Sequence, residues 1–277
     1  MKERRKSSAW SSRVRFSGAS SGPAHRDWYR AFADLYDEWA TPGGIARTVE
    51  FLDRQFHRHR VREAVDVACG TFSIDLGLAK RGYEVVGRDR SPEMVRVGQR
   101  AARRARVPAD VAEGDMRTLR LGREFGAVLC VGTAFNYLTE PGDVRRAFRT
   151  FRTLLRPGGL LVLDVPNFDA WIDNPMNARA EVDRRTPSGT RIAIFGFNEQ
   201  TPGKTLHIAR FLTVVQVGHR IDIRFDEAPM KVWSKEALSR ALRTQGFRPV
   251  GWYGDLAVGA AYRRKRSPRL VALATRL

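Results

Sequence analysis

Cysteine is almost missing from this 277-residue chain: Cys69 and Cys130 are the whole complement. Two thiols in apolar segments supply neither a disulfide framework nor a metal-ligand spacing, the pattern of a cytoplasmic protein. No run reaches the ~18–20 apolar residues that a membrane span requires. The opening stretch "MKERRKSSAWSSRVRFSGASSGPA" is basic but lacks the apolar core of a secretory signal. Neither G-x-G-x-x-G nor G-x-x-x-x-G-K-[ST] occurs, so a pyrophosphate cradle and a P-loop are unsupported. Acids are scarce too, 30 against 49 Lys and Arg, a formal net charge of +19.

Such a field attracts phosphates, nucleic acid and anionic metabolites. Much of the excess lies at helix-surface positions, as in "RVGQRAARRARV" and "VRRAFRTFRTLLR", where Arg makes a solvated face. No basic stripe interleaved with aromatics accompanies it, so a nucleic-acid partner is the less favoured reading. Hydrophobic residues make up 43% of the chain, enough for a sizeable core and against wholesale disorder.

Residues 1–24, rich in Ser, Gly, Lys and Arg, read as a flexible basic tail, and 25–277 as one domain. Large apolar residues at helical spacing predict a helix over 27–39. A second helix follows the Pro42-Gly43-Gly44 break, from about Ile45 to His57. Strands and helices then alternate. The strands are "EAVDVA", "YEVVGRD", "ADVAEGD", "FGAVLCVG" and "LLVLDVP"; Ser91 caps the second helix, with Pro92 at its first position. Alternation of this kind specifies an α/β fold, a doubly wound, Rossmann-like, mostly parallel sheet, here of seven strands. After Pro166 it stops. Three extended runs between 190 and 232 predict an antiparallel β-meander, a lid inserted after strand five over about 167–232. A helix, "SKEALSRALRTQG", and a closing strand pair complete the chain.

Acids stand in order at strand ends: Asp66, Asp89 and Asp115. They suit a nucleoside without phosphates, whose ribose hydroxyls and adenine amine need acceptors and whose cationic groups favour carboxylates. The pieces "DVACGT", "GYEVVGRDRSPEMV", "EGDMR" and "LLRPGGLLVLD", in that order and spacing, resemble the class I S-adenosylmethionine-dependent methyltransferases over roughly residues 27–277. "VGTAFNYL", "RPGGLLVLDVPNFD" and "YGDLAVGAAYRRKRSPRLVALAT" are most similar to the glycine N-methyltransferase-like group of small-molecule enzymes.

The resemblance implies S-adenosylmethionine as cofactor, S-adenosylhomocysteine as product, and no metal. It implies that Asp66, Ala68, Cys69, Gly70 and Thr71 form the cofactor turn, with Gly70 allowing close backbone approach. Asp89 would accept the ribose hydroxyls. Gly114, Asp115 and Met116 would hold the adenine edge, with Arg90 and Met94 against the ring. Gly132, Tyr36 near the sulfur, and Arg47 on the cofactor carboxylate complete the set. Each has a plainer alternative: a tight turn, helix capping, core packing, one more surface Arg.

Acceptor positioning falls to Tyr137, Asn167 and Tyr253, and Arg191, Arg210 or Arg224 could bind an anionic acceptor. His57 and His59 read as a solvated helix end, while His207 and His219 lie in the meander. Three residues depart from the family pattern: Phe72 replaces a Gly, Arg90 an apolar residue, and Gly126 an Asp. The expected function is methylation of a small-molecule acceptor at nitrogen or oxygen. The alternatives are an RNA-modifying methyltransferase and a degenerate fold that binds cofactor or partner without catalysis. The run after strand four, "GTAFNY", lacks the Asn/Asp-Pro-Pro-aromatic motif of base-amine methylation.

Overall fold

The computed structural model describes residues 14–17, 33–39, 42–171, 178–185, 189–200 and 205–277. Its elements in chain order begin with β1 (Val14–Ser17), α1 (Tyr36–Trp39), α2 (Pro42–His59), β2 (Glu63–Asp66), α3 (Ser73–Ala79) and β3 (Glu84–Asp89). There follow α4 (Pro92–Ala105), β4 (Asp110–Glu113), β5 (Phe125–Cys130), α5 (Pro141–Leu154), β6 (Leu155–Pro166) and α6 (Phe168–Trp171). The chain closes with β7 (Ala178–Arg185), β8 (Arg191–Gln200), β9 (Leu206–Val217), β10 (Arg220–Lys231), α7 (Lys235–Thr244), β11 (Phe247–Tyr253) and β12 (Arg269–Arg276).

Seven strands make one sheet in the order β11-β12-β6-β5-β2-β3-β4. The run β6-β5-β2-β3-β4 is parallel, and β12 and β11 attach antiparallel at one edge. Buried on both faces, the central strands read as continuous apolar runs. Alternate residues serve opposite layers. Val65, Val128, Cys130, Leu161 and Leu163 pack toward Phe148, Phe151, Leu238 and Leu242 of α5 and α7. Ala64, Ala127, Leu129, Leu160 and Val162 pack toward Phe51, Leu52, Phe56, Leu78 and Val95 of α2, α3 and α4. Among the described residues no helix is long and apolar enough to cross a membrane.

The meander is larger than expected. Strands β8, β9 and β10 pair antiparallel as predicted, but β7 joins one side and β1 the other, giving the order β1-β10-β9-β8-β7. Val14–Ser17, inside the stretch read as a tail, thus pairs in parallel with Ile221–Arg224. Two boundaries also move. The second helix starts at Pro42, because proline at a first helical position costs no hydrogen bond. "RPGG" lies within β6, since α5 runs directly into the strand at Leu155. Of the helix expected over 27–39, residues 27–32 lie outside the described residues.

Phe72 sits in the left-handed region, φ 63°. Its fully buried ring fills the gap between β3 and α4, where two glycines make room: a Cβ on Gly87 would come within 2.6 Å of the ring, and one on Gly98 within 2.9 Å of the Phe72 Cβ. The left-handed conformation costs about 1–2 kcal/mol, and burying the ring returns roughly 1.5–3 kcal/mol, so packing offsets strain. Phe72→Ala keeps the strain and opens a cavity, and urea denaturation should show a loss of about 3–5 kcal/mol. Phe72→Gly should recover about 1 kcal/mol of that; a Gly variant as stable as wild type would mean the ring is dispensable.

Candidate active site

At the tip of β2 the chain turns sharply, and carboxylates accept the amides that the turn leaves unpaired. Asp66, 1% exposed, takes the Ala68 amide on Oδ1 at 2.9 Å. The Cys69 amide donates to the Arg88 carbonyl at 3.0 Å, and the Phe72 amide to the Cys69 carbonyl at 2.8 Å. Gly70 has φ 53°, and a Cβ there would meet nothing within 4 Å, so the turn faces open space. Its amide donates to Asp89 Oδ2 at 2.8 Å, while Asp89 Oδ1 takes the Ser91 amide at 2.8 Å. Ser91, not Asp89, caps α4: its Oγ accepts the Met94 amide. Loss of water raises the pKa of the Asp89 carboxyl, and the amides only partly counter it.

A second open corner lies at the tip of β5. Gly132, φ 72°, also has nothing within 4 Å of a would-be Cβ. Its amide donates to Asp164 Oδ2 at 2.9 Å; Asp164 is buried and receives Arg269 through Nε at 2.8 Å and Nη2 at 2.7 Å. Arg269 also reaches Thr133 Oγ1 at 3.0 Å. Tyr36 comes into this space: burial raises its phenol pKa, and Tyr137, Asp89 and Arg269 are all near enough to act on it. Tyr36 thus lies near both Tyr137 and Asp89, two residues distant from it in sequence.

What holds Tyr36 there was missed in the sequence. Asp37 Oδ1 accepts both Thr71 Oγ1 and Ser73 Oγ, the latter at 2.7 Å, which ties α1 to the turn after β2. Asp34 forms an ion pair with Arg100 of α4. In "ADLYDEW" both acids read as a helix surface, and nothing local distinguishes them. Asp164 and Arg269 were missed too; each lies in an apolar strand, and a lone charge there signals a buried pair.

The remaining predicted residues are placed as follows. Asp115 accepts from Arg117, whose guanidinium holds the carboxyl below its usual range; Arg117 also reaches Asp143 at 2.8 Å. Arg90 is exposed, 3.9 Å from Asp115. The Gly114 amide donates to the Asp89 carbonyl at 2.9 Å. Met94 is buried in the core, and Met116 packs partly against it. Arg47 is exposed on α2. Tyr253 packs edge-on against Phe51, centroids 5.0 Å apart. Gly126 lies within β5, with a would-be Cβ 3.2 Å from Arg156. Asn167 is 1% exposed and its amide is committed: Nδ2 donates to the carbonyls of Arg264 and Ser267, each at 2.8 Å, and Oδ1 accepts from Tyr262 at 3.2 Å. It clamps the closing loop and has no donor left for an acceptor.

Strand register sorts the lid arginines. Arg224 pairs opposite buried Thr213, on the same face as Asp226, Ala228 and Met230. Arg210 pairs opposite Glu227, and Arg191 opposite Gln216, both on the other face. Arg224 lies 3.4 Å from Asp226. His207 is buried on the inner face, 5.0 Å from the Phe168 ring, and burial lowers its pKa to about 4. His219 lies at the exposed β9–β10 turn, and His57 contacts Tyr83 at 3.0 Å.

Residues 64–159 match the family described as "Methyltransferase domain". A glycine/sarcosine N-methyltransferase of Parasynechococcus marenigrum is 32% identical over 53% of this chain and 54% of its own length. A dTDP-3-amino-3,4,6-trideoxy-alpha-D-glucopyranose N,N-dimethyltransferase of Streptomyces venezuelae is 31% identical, over 62% of this chain and 77% of that one. The chain belongs to the class I S-adenosylmethionine-dependent methyltransferases. Its fold agrees: the crystal structure of an S-adenosylmethionine-dependent methyltransferase from Clostridium acetobutylicum superposes with a TM-score of 0.76 at 17% identity, covering 90% of this chain and 98% of that one. The chain spans about half the length of three of the curated relatives it matches.

In this methyltransferase a carboxyl pair lies beneath the turn after β2. Asp75 of α3 is fully buried, and neither of its oxygens has a hydrogen-bond partner. Burial raises its pKa, and Asp66 raises it further. Burial likewise pushes Asp66 up to about 7, only partly opposed by the Ala68 amide.

Two predictions follow from this geometry. The folded protein holds a proton on Asp66 that the unfolded chain releases near pH 4, so this group costs stability as pH rises from about 4 to 7. Asp66→Asn should therefore gain stability relative to wild type between pH 5 and pH 8, read by urea denaturation; a pH-independent difference would refute the assignment. Asp37→Ala should speed hydrogen exchange across residues 33–39 and cost about 1.5–3 kcal/mol, whereas Arg100→Ala, at the exposed ion pair, should cost no more than about 1 kcal/mol.

Proposed function

We propose that this methyltransferase moves a methyl group from S-adenosylmethionine to a nitrogen of a small-molecule amine, releasing S-adenosylhomocysteine. The observation that carries the reading is the convergence of two open glycine corners, Gly70 and Gly132, with Asp89, Tyr36 and Tyr137 at the carboxyl ends of the strands. Doubly wound sheets bind ligands at that end.

The residues fit the cofactor. The Gly70, Ser91 and Arg90 amides act on three of the roughly four lone-pair positions of Asp89, leaving an acceptor for a ribose hydroxyl. Phe72 points into the sheet-helix interface, away from the space beside Gly70, so its bulk leaves the turn open. Arg90 offers a flat guanidinium to an adenine, and Asp115, Met116 and the Gly114 corner border the same strand tips. Asp66, Ala68, Cys69 and Thr71 shape the turn from beneath. Arg47 would meet the cofactor carboxylate.

When bound, the cofactor supplies an activated methyl group and its own leaving group. The chain aligns and desolvates the acceptor. Tyr36 keeps its proton at neutral pH, since burial and the neighbouring Tyr137 and Asp89 raise its pKa. Its hydroxyl and that of Tyr137 can orient an amine, and an enclosed site favours the uncharged, nucleophilic form. Nitrogen is favoured over oxygen because the named relatives are N-methyltransferases, acting on glycine and sarcosine in one case and on an amino sugar in the other. The scarcity of cysteine supports a cytoplasmic setting.

Calorimetric titration with S-adenosylmethionine and S-adenosylhomocysteine tests the cofactor, on wild type and on Asp89→Ala. Wild type should bind both, and the variant should bind about 10–100-fold more weakly. Mass spectrometry of an amine panel including glycine, sarcosine and a 3-amino sugar nucleotide should then show N-methyl product. Absence of cofactor binding by wild type would sink the reading, and a product methylated on oxygen would overturn the choice of nitrogen.

A further inference from the structure

The loop between β11 and β12 carries four successive cations, Arg263, Arg264, Lys265 and Arg266, all exposed. Strand β12 runs antiparallel to β6 and begins with Arg269 opposite Pro166, so the loop lies at the carboxyl end of β6. That is the end of the sheet where Gly70, Gly132 and the two tyrosines gather. Arg269 itself reaches the Thr133 hydroxyl beside Gly132, which links the loop directly to the site.

The loop has a built seat. Buried Asn167 donates to two of its carbonyls, at Arg264 and Ser267, and takes the Tyr262 hydroxyl. Within the loop, Ser267 Oγ accepts the Arg263 amide at 2.8 Å, and the Arg266 amide donates to the Arg263 carbonyl at 3.0 Å. This tight turn separates Arg263 and Arg266 by three residues, a spacing that sets their side chains on one side of a helical turn. A charge run that served only solubility would need no buried, fully hydrogen-bonded anchor.

Its charge is only partly balanced. Asp169 pairs with Arg264 at 3.1 Å, Asp164 with Arg269 at 2.7 Å, and Glu236 also acts on Arg264. Lys235 lies over the Trp252 and Tyr262 rings, 5.5 and 5.6 Å from their centroids. Arg263 and Arg266 have no acidic partner among the described residues. Arg224, the lid arginine on the buried face, is already beside Asp226. It also lies seven residues up β10 from Lys231, whose carbonyl takes the Asn136 amide next to Tyr137. That is about 24 Å of strand, which leaves the 263–266 loop as the better-placed cationic feature.

We propose that this loop is an anion subsite for the acceptor, and that the acceptor carries a phosphate or diphosphate group remote from the methylated nitrogen. The proposal rests on the methyltransferase reading above and adds its substrate class. A carboxylate is matched by a single guanidinium, whereas a diphosphate spreads several charges over many oxygens and suits a turn bearing several cations.

The test is titration of the full chain with thymidine diphosphate, inorganic pyrophosphate, thymidine and a mixed-sequence RNA 20-mer, each with and without S-adenosylhomocysteine. Thymidine diphosphate should bind, pyrophosphate should compete with it, and thymidine alone should not bind measurably. The double variant Arg263→Ala/Arg266→Ala should weaken thymidine diphosphate binding by about tenfold or more, with S-adenosylhomocysteine affinity and melting temperature unchanged. Equal diphosphate affinity in variant and wild type would overturn the subsite, as would thymidine binding as tightly as its diphosphate. RNA binding tighter than the diphosphate and lost in the same variant would replace the subsite with a polymer-binding surface. Failure of the cofactor reading would show separately, as wild type that ignores S-adenosylhomocysteine.

Discussion

One carboxylate joins the two central strand tips. Asp89, at the end of β3, takes the Gly70 amide from the β2 turn and the Ser91 amide ahead of α4. Without it the Gly70 amide would lose its partner and the turn its tie to β3, at the cost of an unmade hydrogen bond. The same device recurs around the site. Asp66 takes the amide of Ala68, and Asp164 that of Gly132. Each acid stands at or near a strand end, and each fixes a loop by its backbone, so loop side chains can vary while the loop path holds. Asp37 extends the scheme to side chains by gathering two hydroxyls of the turn under α1.

These tethers give the site its electrostatic character. Asp66, Asp75 and Asp89 lie around one turn; burial favours the protonated form of each, and neighbouring carboxylates add to it at Asp66 and Asp75. Amides, not cations, meet Asp66 and Asp89, and they oppose these shifts only in part. Around Gly132 the arrangement differs, since Asp164 is met by the full charge of Arg269. One side of the site is thus a set of carboxyls with raised pKa, and the other a buried ion pair.

The parallel sheet was legible because its strands are buried on both faces and read as unbroken apolar runs between helices. The lid strands were legible because alternate residues face solvent. Strand β1 was not: four residues in a polar, basic stretch pair with a strand some 200 residues away, and no local pattern encodes that partner. Phe72 could be marked as a departure, but its direction depends on Gly87 and Gly98, two small residues on separate elements. Tyr36 lies near Asp89 and Tyr137, as expected where strand ends converge in this fold. Asn167 illustrates the opposite case. Its place after β6 marked it as a site residue, yet its amide is consumed by a loop almost a hundred residues later.

The surplus of arginine divides along the same axis as the site. Helices in a doubly wound sheet run against the strands, so their C-termini gather at the end opposite the open glycines. Arg58, Arg103, Arg104, Arg152 and Arg243 occupy last helical turns, where cations complement the partial negative charge of the helix end. Local helix electrostatics therefore account for these arginines, and no partner need be invoked for them. Arg263 and Arg266 occupy no helix end. They lie in an exposed loop at the end of the sheet where the helices begin, so helix C-termini give no account of them. What the buried asparagine does fix is the path of the backbone that carries them, so the two cations are held at the end of the sheet where the proposed anionic acceptor would bind.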